Sequence, residues 1–483
     1  MSEMINTFPG YEFIRLEDGK YHNMFRDVDL GKGGWVYSEK GIYTNVALLD
    51  VQSMHPSSII ALNKLGEYTQ RYAELKQARV YIKHKEYDKA KQLFDGKLAN
   101  YLDDSDKAKA LSKALKLPLN AFFGCSFAGF PNPARDSRDH NNIIALRGAL
   151  FMKTLFDEVE KLGYKIIHVK TDSIKIVNAD ADIVKFVQDF SKKYGYNMEH
   201  EANYDRMCLI DKAQYVASYM SKEDSDRIYG YTPSENLEYI EEHGYSWTTT
   251  GDAFQQPYVF KQLFSGERID FDDMCIVNSV KDAAIYLDMN ENLKPQPEAE
   301  KEMTRRIFNA GNPEKPMKLN PAFSDMSDEE VNAIVGLAHN YQFVGRVGRF
   351  CPIKPGAGGG ILLSLRRGKY GAVTGSIGYR WLESEVVKEL GKEDLIDIEY
   401  FEKECSKAIA AINNFGDYDR FIDLSRPYIC PEPINVMDDD LIVPCGDGKY
   451  NTCLDCPNCD GDICRRGYSL SSYVEKGGGG NDA

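Results

Sequence analysis

The stretch Lys165 to Val177 (KIIHVKTDSIKIV) decides how the rest of this chain is interpreted. Two short apolar runs, Lys165 to Val169 and Ile174 to Val177, flank the polar tripeptide Thr171-Asp172-Ser173. Two such runs separated by a short polar turn are typical of a β-hairpin. We therefore predict a hairpin with Asp172 at its tip, where a carboxylate projects from a rigid sheet edge.

The segments around this hairpin predict an α+β fold. Val46 to Asp50 (VALLD) has the composition of a buried strand that ends in a carboxylate, and Asp211 to Tyr219 is predicted to form another strand. Helical periodicity and composition predict helices over Ile143–Leu162 and Asp180–Tyr194, and a helical hairpin with a polar tip over Lys64–Leu117. This order of elements suggests an antiparallel sheet backed by helices, of split-βαβ type.

The second half of the chain changes in composition. Lys294 to Pro321 is rich in Pro and Glu and predicts a linker, and helices are predicted over Met326–Tyr341 and Tyr379–Leu390 with a Gly-rich bend between them. The last part of the chain is rich in Pro, Asp, Gly and Cys and ends in Gly477 to Gly480, which predicts a flexible tail.

Composition predicts a globular protein of the cytoplasm. The 483 residues are 12% aromatic, with 30 Tyr, which excludes a disordered, purely solvated chain. No apolar stretch approaches the ~20 residues that a membrane helix requires, and Met1 to Gly10 carries no export signal. The net charge of -15 argues at first against nucleic acid, but a whole-chain average can hide a local basic groove.

Four motifs resemble those of family B DNA polymerases, in the family's order, and most closely those of bacteriophage enzymes. They are the palm motif Asp50 to Ile60 (DVQSMHPSSII), the fingers motif Lys116 to Gly124 (KLPLNAFFG), the hairpin motif His168 to Ser173 (HVKTDS) and the primer-gripping motif Lys212 to Tyr215 (KAQY). The resemblance implies a right-hand polymerase with a split-βαβ antiparallel palm, helical-hairpin fingers, a thumb and a small Cys-rich tail. The expected domains are an N-terminal segment with the first palm strand (1–63), fingers (64–125), palm (126–285), a thumb-like DNA-binding region (286–428) and the tail (429–483).

The resemblance also implies roles for single residues. Asp50 and Asp172 are expected to be the catalytic ligands of two Mg²⁺ ions, with the Val51 carbonyl as a further ligand, and hard divalent cations do prefer such oxygen ligands. The expected nucleotide-binding residues are Ser53, Met54, His55, Arg79, Lys83, Lys116, Asn120, Phe123 and Thr171, and Lys212 and Tyr215 are expected to contact DNA. Without the motifs, each Asp would more often be a turn residue, and Arg79 and Lys83 a solvated helix face.

Three residues depart from the family pattern. His55 stands where the family usually has a Tyr beneath the deoxyribose, Phe123 replaces the Tyr of the fingers motif, and Lys170 replaces the first Asp of the hairpin motif. His55 suggests the alternative of a ribonucleotide-tolerant polymerase or primase-like protein, and Lys170 that of a non-catalytic template-binding subunit. Retention of Asp50 and Asp172 favours a DNA-directed DNA polymerase.

An acid-free basic stretch runs from Tyr341 to Leu382. Cations interleaved with aromatic residues and glycines suit a surface that follows a phosphate backbone. The cations that we expect to contact DNA are Arg346, Arg349, Arg366, Arg367 and Lys369.

The tail contains the cluster Cys453-x2-Cys456-x2-Cys459-x4-Cys464, with Cys445 as an alternate ligand. Four thiolates at this spacing predict a Zn²⁺ site or, less favoured, a [4Fe–4S] cluster, and free reduced thiols are the third interpretation.

Family members that replicate DNA carry a proofreading exonuclease ahead of the palm. Only a short segment precedes Asp50, so we expect this chain to lack that activity and a separate exonuclease or N-terminal polymerase subunit to be a partner. The other expected partners are primer-template DNA and dNTPs, with no membrane, in the cytoplasm of the host cell if the gene is phage-encoded.

Overall fold

The computed structural model describes residues 2–132, 134, 142–280, 283–289, 341–366, 369–373, 375–428, 459–460 and 463–464. The chain divides into two compact units, the first formed by Met1–Gly251 and Ala411–Ala483, the second by Asp252–Ala410. Both contain helices and antiparallel strands, which confirms the predicted α+β class. Within these residues, every helix is too short or too polar to cross a lipid bilayer.

The strands and helices are numbered in chain order. The strands are β1 (Tyr11–Arg15), β2 (Tyr21–Phe25), β3 (Val28–Asp29), β4 (Val36–Ser38), β5 (Gly41–Val51), β6 (Lys165–Lys170), β7 (Ser173–Val177), β8 (Met198–Leu209), β9 (Tyr215–Tyr219), β10 (Trp247–Thr250), β11 (Ile276–Ser279), β12 (Ala284–Asp288), β13 (Tyr341–Gly345), β14 (Val347–Ile353), β15 (Ile361–Arg366), β16 (Lys369–Ala372), β17 (Arg380–Glu383), β18 (Cys459–Asp460) and β19 (Ile463–Cys464). The α-helices are α1 (Ser2–Thr7), α2 (Met54–Ala61), α3 (Thr69–Lys83), α4 (Tyr87–Lys91), α5 (Ser105–Ser126), α6 (Ile143–Lys161), α7 (Ala181–Lys192), α8 (Lys222–Tyr229), α9 (Ser234–His243), α10 (Asp252–Gln255), α11 (Pro257–Phe260), α12 (Ser384–Glu389), α13 (Ile398–Asn413) and α14 (Tyr418–Ile422).

The first unit is organised around a seven-stranded antiparallel sheet in the order β10-β9-β8-β5-β7-β6-β4. Strand β5 lies at its centre and alternates its side chains between two cores. Leu49 and Val51 pack with buried residues of α6 and α7, whereas Val46 and Leu48 join a second cluster on the opposite face. Because side chains alternate along a strand, Asp50 lies on the same face as Leu48.

The predicted hairpin is confirmed as β6 and β7, and the predicted helices over Ile143–Leu162 and Asp180–Tyr194 are confirmed as α6 and α7. The helical hairpin is longer than predicted, because α5 continues through Pro118 to Ser126. The strand predicted from Asp211 begins only at Tyr215, since the Asp211 carboxylate accepts the N–H groups of Ala213 and Gln214 and forms a turn.

The second unit is mostly β-structure in the part where the sequence predicts helices. Its strands form the sheets β11-β14-β17 and β13-β12-β15-β16 around a core that includes Phe350, Trp381 and Phe401. The helix predicted over Tyr379–Leu390 is wrong for its first half, because Trp381 is buried in β17 and pairs with Pro352 of β14. Residues 326–340 and the predicted linker 294–321 lie outside the described residues.

A buried arginine, Arg206, binds residues 421–426 of the first unit to the central sheet. Arg206 of β8 is 1% exposed, and its guanidinium donates to the carbonyls of Phe421 (3.1 Å), Asp423 (2.9 Å) and Arg426 (2.8 Å). A guanidinium has five N–H donors in a fixed plane, so one side chain can bond to several carbonyls of one segment.

We expect Arg206→Met to lower the free energy of unfolding by about 3 kcal/mol, because it leaves these carbonyls without their donor. Urea titration followed by tryptophan fluorescence measures the change. Arg227→Met is the control, since Arg227 is 69% exposed and its pairing with Asp224 should contribute less than ~1 kcal/mol. Equal effects of the two substitutions would contradict this role of Arg206.

Candidate active site

Two carboxylates meet where the central strands of the first unit end. Asp50 lies next to the end of β5, opposite Ser173 of β7 and Glu199 of β8. The N–H of Val51 donates to the carbonyl of Asp172 at 2.9 Å, so the backbone fixes Asp172 against the end of β5. Sequence separates Asp50 and Asp172 widely, and sheet pairing brings them together.

Two turns with left-handed backbone shape this region. Thr171, at the hairpin tip, has φ 60°, and Ser53, which precedes α2, has φ 58°. The N–H of Thr171 donates to the carbonyl of Trp35 at 3.0 Å. A Cβ atom on Gly34 would lie 2.6 Å from Cγ2 of Thr171, so only glycine allows this approach. The tip is therefore held by the chain beside it.

A cleft of about 410 Å³ opens beside the two carboxylates. Its walls come from five separate parts of the sequence that the first unit brings together: the end of β5 with the start of α2, the C-terminal half of α3, the middle of α5, the tip of the β6–β7 hairpin, and β8. The lining residues are Asp50, Val51, Gln52, Ser53, Met54, His55, Pro56, Arg79, Val80, Lys83, Lys116, Leu119, Asn120, Asp172 and Glu199.

The cations of the cleft come from two helices. Arg79 and Lys83 lie one helical turn apart on α3, and Lys116 projects from α5. One guanidinium nitrogen of Arg79 approaches Ser53 Oγ at 3.4 Å, while its Nε is buried without a hydrogen-bond partner among the described residues. An unpaired, buried guanidinium donor is suited to an anion that enters the cleft.

An aromatic pair forms another part of the wall. The ring of His55 stacks on that of Phe123, with centroids 3.8 Å apart and planes 12° from parallel. Burial lowers the pKa of His55, so its imidazole is neutral at pH 7. His55 and Phe123 are two of the three residues that differ from the expected motifs, and here they contact each other.

Burial, with repulsion from neighbouring carboxylates, makes Asp50 and Asp172 hard to ionise. Burial, with repulsion from Asp172 and Glu201, raises the pKa of Asp50 to about 8. Burial also raises the pKa of Asp172, with a contribution from Glu201. Carboxylates that repel one another in a largely buried site favour a cation between them.

The carboxylates fit Mg²⁺ better than a metal held by the protein alone. Among the described residues there is no group of three or more His, Cys, Asp or Glu side chains placed to hold a metal ion. Mg²⁺ is commonly bound by one or two carboxylates together with water and substrate phosphates, which matches two carboxylates beside a basic cleft. The Zn²⁺ or iron–sulfur site gains no support, because Cys445, Cys453 and Cys456 lie outside the described residues, and only the backbone pairing of Cys459 with Cys464 is described.

Other predicted residues lie away from the cleft. Lys212 is exposed in the turn before β9, and its carbonyl accepts from Nε2 of His168 at 3.2 Å. Nδ1 of His168 faces the ammonium of Lys175 at 3.2 Å, and that ammonium lies 4.8 Å from the ring centre of Tyr215. An ammonium can only donate, so His168 is the Nε2–H tautomer, and burial lowers its pKa to about 4.

The predicted DNA-contacting cations other than Lys212 belong to the second unit. Arg346 lies between β13 and β14, and Arg349 on β14 is 47% exposed and 3.5 Å from a carboxylate oxygen of Asp272. The backbone of Arg366 and Lys369 closes the β15–β16 hairpin, and Arg367 lies outside the described residues.

Sequence reasoning missed the residues that connect α3 to the sheet. Glu199 lines the cleft, Gln52 donates to it, and Nε2 of His84 lies 2.5 Å from its Oε1. Glu199 could have been found only from the register of β8 against β5, which places it opposite Asp50.

The comparisons with known proteins point to one class of enzyme. The chain is 24% identical over 212 residues to a DNA polymerase of Thermococcus gorgonarius, 25% over 222 residues to one of Desulfurococcus sp. (strain Tok), and 23% over 222 residues to DNA polymerase 1 of Pyrococcus abyssi (strain GE5 / Orsay). This part of the chain is homologous to DNA polymerases. Each match covers 38% of this chain and 27% of the relative, so the chain matches about a quarter of each relative's length.

Two further comparisons gave weaker results. No protein-family model matches the chain. The structure of the family B DNA polymerase from Pyrobaculum calidifontis aligns with 82% of this chain and 48% of its own, at 12% identity and a TM-score of 0.37. A TM-score this low does not establish a shared fold.

We expect Asp50→Asn to raise the melting temperature by several degrees at pH 8.5 and much less at pH 4.5. A carboxyl whose folded pKa is raised costs stability as pH climbs from its unfolded value, ~4, to its folded value, about 8. Removing the carboxylate removes that cost. Millimolar Mg²⁺ should stabilise the wild type at pH 8.5 and reduce the difference in melting temperature between the wild type and the variant. Thermal unfolding at both pH values, with and without Mg²⁺, measures this, and a pH-independent difference would contradict it.

Proposed function

We propose that this chain is a family B DNA-directed DNA polymerase, which adds dNTPs to a primer 3′-OH on a DNA template. One observation carries the proposal: a single cleft is lined by the two carboxylates of the strand ends and by the three cations of the helices. Homology to DNA polymerases over part of the chain supports it. In this proposal the central sheet is the palm, the α3–α5 region the fingers, and the second unit a thumb-like module.

The cations suit the triphosphate of an incoming nucleotide. Arg79, Lys83 and Lys116 line the same cleft as Asp50 and Asp172. A tetra-anionic triphosphate would bind the guanidinium and ammonium groups through charge-assisted hydrogen bonds, which orient its leaving group. The buried, unpaired Nε of Arg79 then gains an acceptor.

In this proposal, Asp50 and Asp172 bind Mg²⁺. Mg²⁺ bound by Asp50 and Asp172 would neutralise charge on the reacting phosphate and favour ionisation of the primer hydroxyl. In the reaction itself the 3′-oxygen bonds to the α-phosphorus in line with the departing pyrophosphate, and the protein contributes position and charge. Rigid strands suit this task, since both carboxylates are anchored by backbone pairing.

The stacked pair of His55 and Phe123 is proposed to lie against the nucleotide sugar and base. Imidazole is smaller than a phenol ring, so the pair supports either a dNTP site or a site that tolerates ribonucleotides. Comparing rNTP with dNTP incorporation decides between them.

Several finer points stay predictions. They are the bacteriophage origin, the lack of proofreading, a separate exonuclease partner and the cytoplasmic location. The lack of proofreading is tested by incubating a labelled single-stranded primer with the purified chain and Mg²⁺. Shortening of the primer that a chelator abolishes would refute this prediction.

We expect Asp50→Asn and Asp172→Asn each to lower primer extension by about a thousandfold. Loss of a metal-binding carboxylate costs several kcal/mol in the transition state, and each 1.36 kcal/mol changes the rate tenfold. Asp189→Asn, on the exposed side of α7, is the matched control and should extend normally. Variants at Asp50 and Asp172 that extend as fast as the control would refute the assignment.

We expect the double substitution Arg346→Gln and Arg349→Gln to weaken the binding of duplex primer-template to the same extent for every DNA sequence. For each phosphate that the variant no longer binds, the slope of log K against log salt should fall by about one. Fluorescence anisotropy over a salt series measures both effects. Arg227→Gln, an exposed arginine of the first unit, is the control, and a double variant with an unchanged slope would contradict a phosphate-binding role.

A further inference from the structure

Glu199 joins the helix that carries the phosphate-binding cations to the central sheet. Its Oε2 lies 3.3 Å from Nζ of Lys83, and its Oε1 lies 2.5 Å from Nε2 of His84. The side-chain amide of Gln52, next to the end of β5, also donates to Oε1. The C-terminal end of α3 is thereby tied to β8 and β5 at one carboxylate.

Glu199 has the contacts of a tether more than those of a cation ligand. Both of its oxygens already accept from the protein, and its side chain is 18% exposed. Glu201, two residues along β8, also reaches Lys83, at 3.5 Å, whereas it is Glu199 that bonds to His84 and Gln52. The same carboxylate therefore holds Lys83 and fixes the residue that follows it.

We propose that Glu199 is a positioning residue that holds Lys83 against the sheet and competes with polyphosphate for that ammonium. The inference rests on the proposed function, in which Lys83 binds the triphosphate. A polyphosphate that enters the cleft must draw Lys83 away from Glu199, so part of its binding energy is spent on breaking this ion pair. Glu199 thus weakens nucleotide binding, because the ammonium of Lys83 is already paired when the ligand arrives.

Removing the charge of Glu199 should increase the affinity of the cleft for polyphosphate. Glu199→Gln keeps the shape of the side chain and its contact with His84 but removes the charge that retains Lys83. We expect affinity for inorganic tripolyphosphate to rise about two- to fivefold, the range for a half-exposed ion pair. A residue with a merely structural role would lower the affinity or leave it unchanged.

The experiment is calorimetric titration of the full chain with tripolyphosphate in Mg²⁺ buffer. The variants are Glu199→Gln, Lys83→Met and the double variant. Glu199→Gln should improve affinity in the wild-type background and have little effect once Lys83 is Met. Glu238→Gln is the matched control, since Glu238 pairs with Lys85 at 3.3 Å on the exposed surface nearby, and it should change nothing.

Three results would overturn the proposal. Glu199→Gln could leave affinity unchanged or lower it, or could improve it equally in both backgrounds, which would indicate simple repulsion between Glu199 and the anion. Glu199→Gln could also abolish thermal stabilisation by Mg²⁺ as Asp50→Asn does, which would make Glu199 a cation ligand.

The steady-state assay separates this inference from the proposed function. In primer extension, Glu199→Gln should lower the KM for dNTP and leave kcat near the wild-type value. If wild type does not extend a primer while the tripolyphosphate results hold, the tether stands and the polymerase assignment fails. If wild type extends and Glu199→Gln binds no tighter, the tether fails and the assignment stands.

Discussion

The burial of Asp50 beside a second carboxylate, Asp172, is the constraint on which the site of the first unit depends. Burial is the largest cause that raises the pKa of Asp50 to about 8, and repulsion from Asp172 and Glu201 adds to it. Side chains on mobile loops would move apart. Here the two residues stay together, because β5 is paired on both sides and the Val51 N–H is bonded to the carbonyl of Asp172. The fold thus holds two carboxylates side by side, and an added cation would favour the ionised form of both.

The positive charges around the carboxylates are placed in two layers. Lys175 is buried behind them, on the strand that follows Asp172, and its ammonium is shared with His168 and the ring of Tyr215. Lys83 lies in front, at the cleft, and is shared with Glu199 and Glu201. Lys175 is thus enclosed by the protein, whereas Lys83 is half exposed at the cleft.

Local patterns in the sequence predict part of the first unit. The hairpin β6–β7 and helices α6 and α7 are encoded by periodicity within a short window. The family resemblance led us to expect Asp50, Asp172, Arg79 and Lys116 in one site, and all four line the same cleft. The second unit is less predictable, because Trp381 is in a strand through pairing with β14, a contact that local sequence does not encode. Glu199 is missed for the same reason, since its importance depends on the register between β8 and β5.

The two carboxylates are not equivalent, and the replacement at Lys170 explains part of the difference. Lys175 and Lys170 are both close enough to Asp172 to lower its pKa, which offsets part of the effect of burial. Asp50 has Lys83 as its nearby cation, and that ammonium is already engaged by two glutamates. Asp50, whose pKa is about 8, is thus a carboxylate that an added cation would help to ionise. A lysine at position 170 is then compatible with a working site, because it favours the charged form of the carboxylate beside it instead of replacing it.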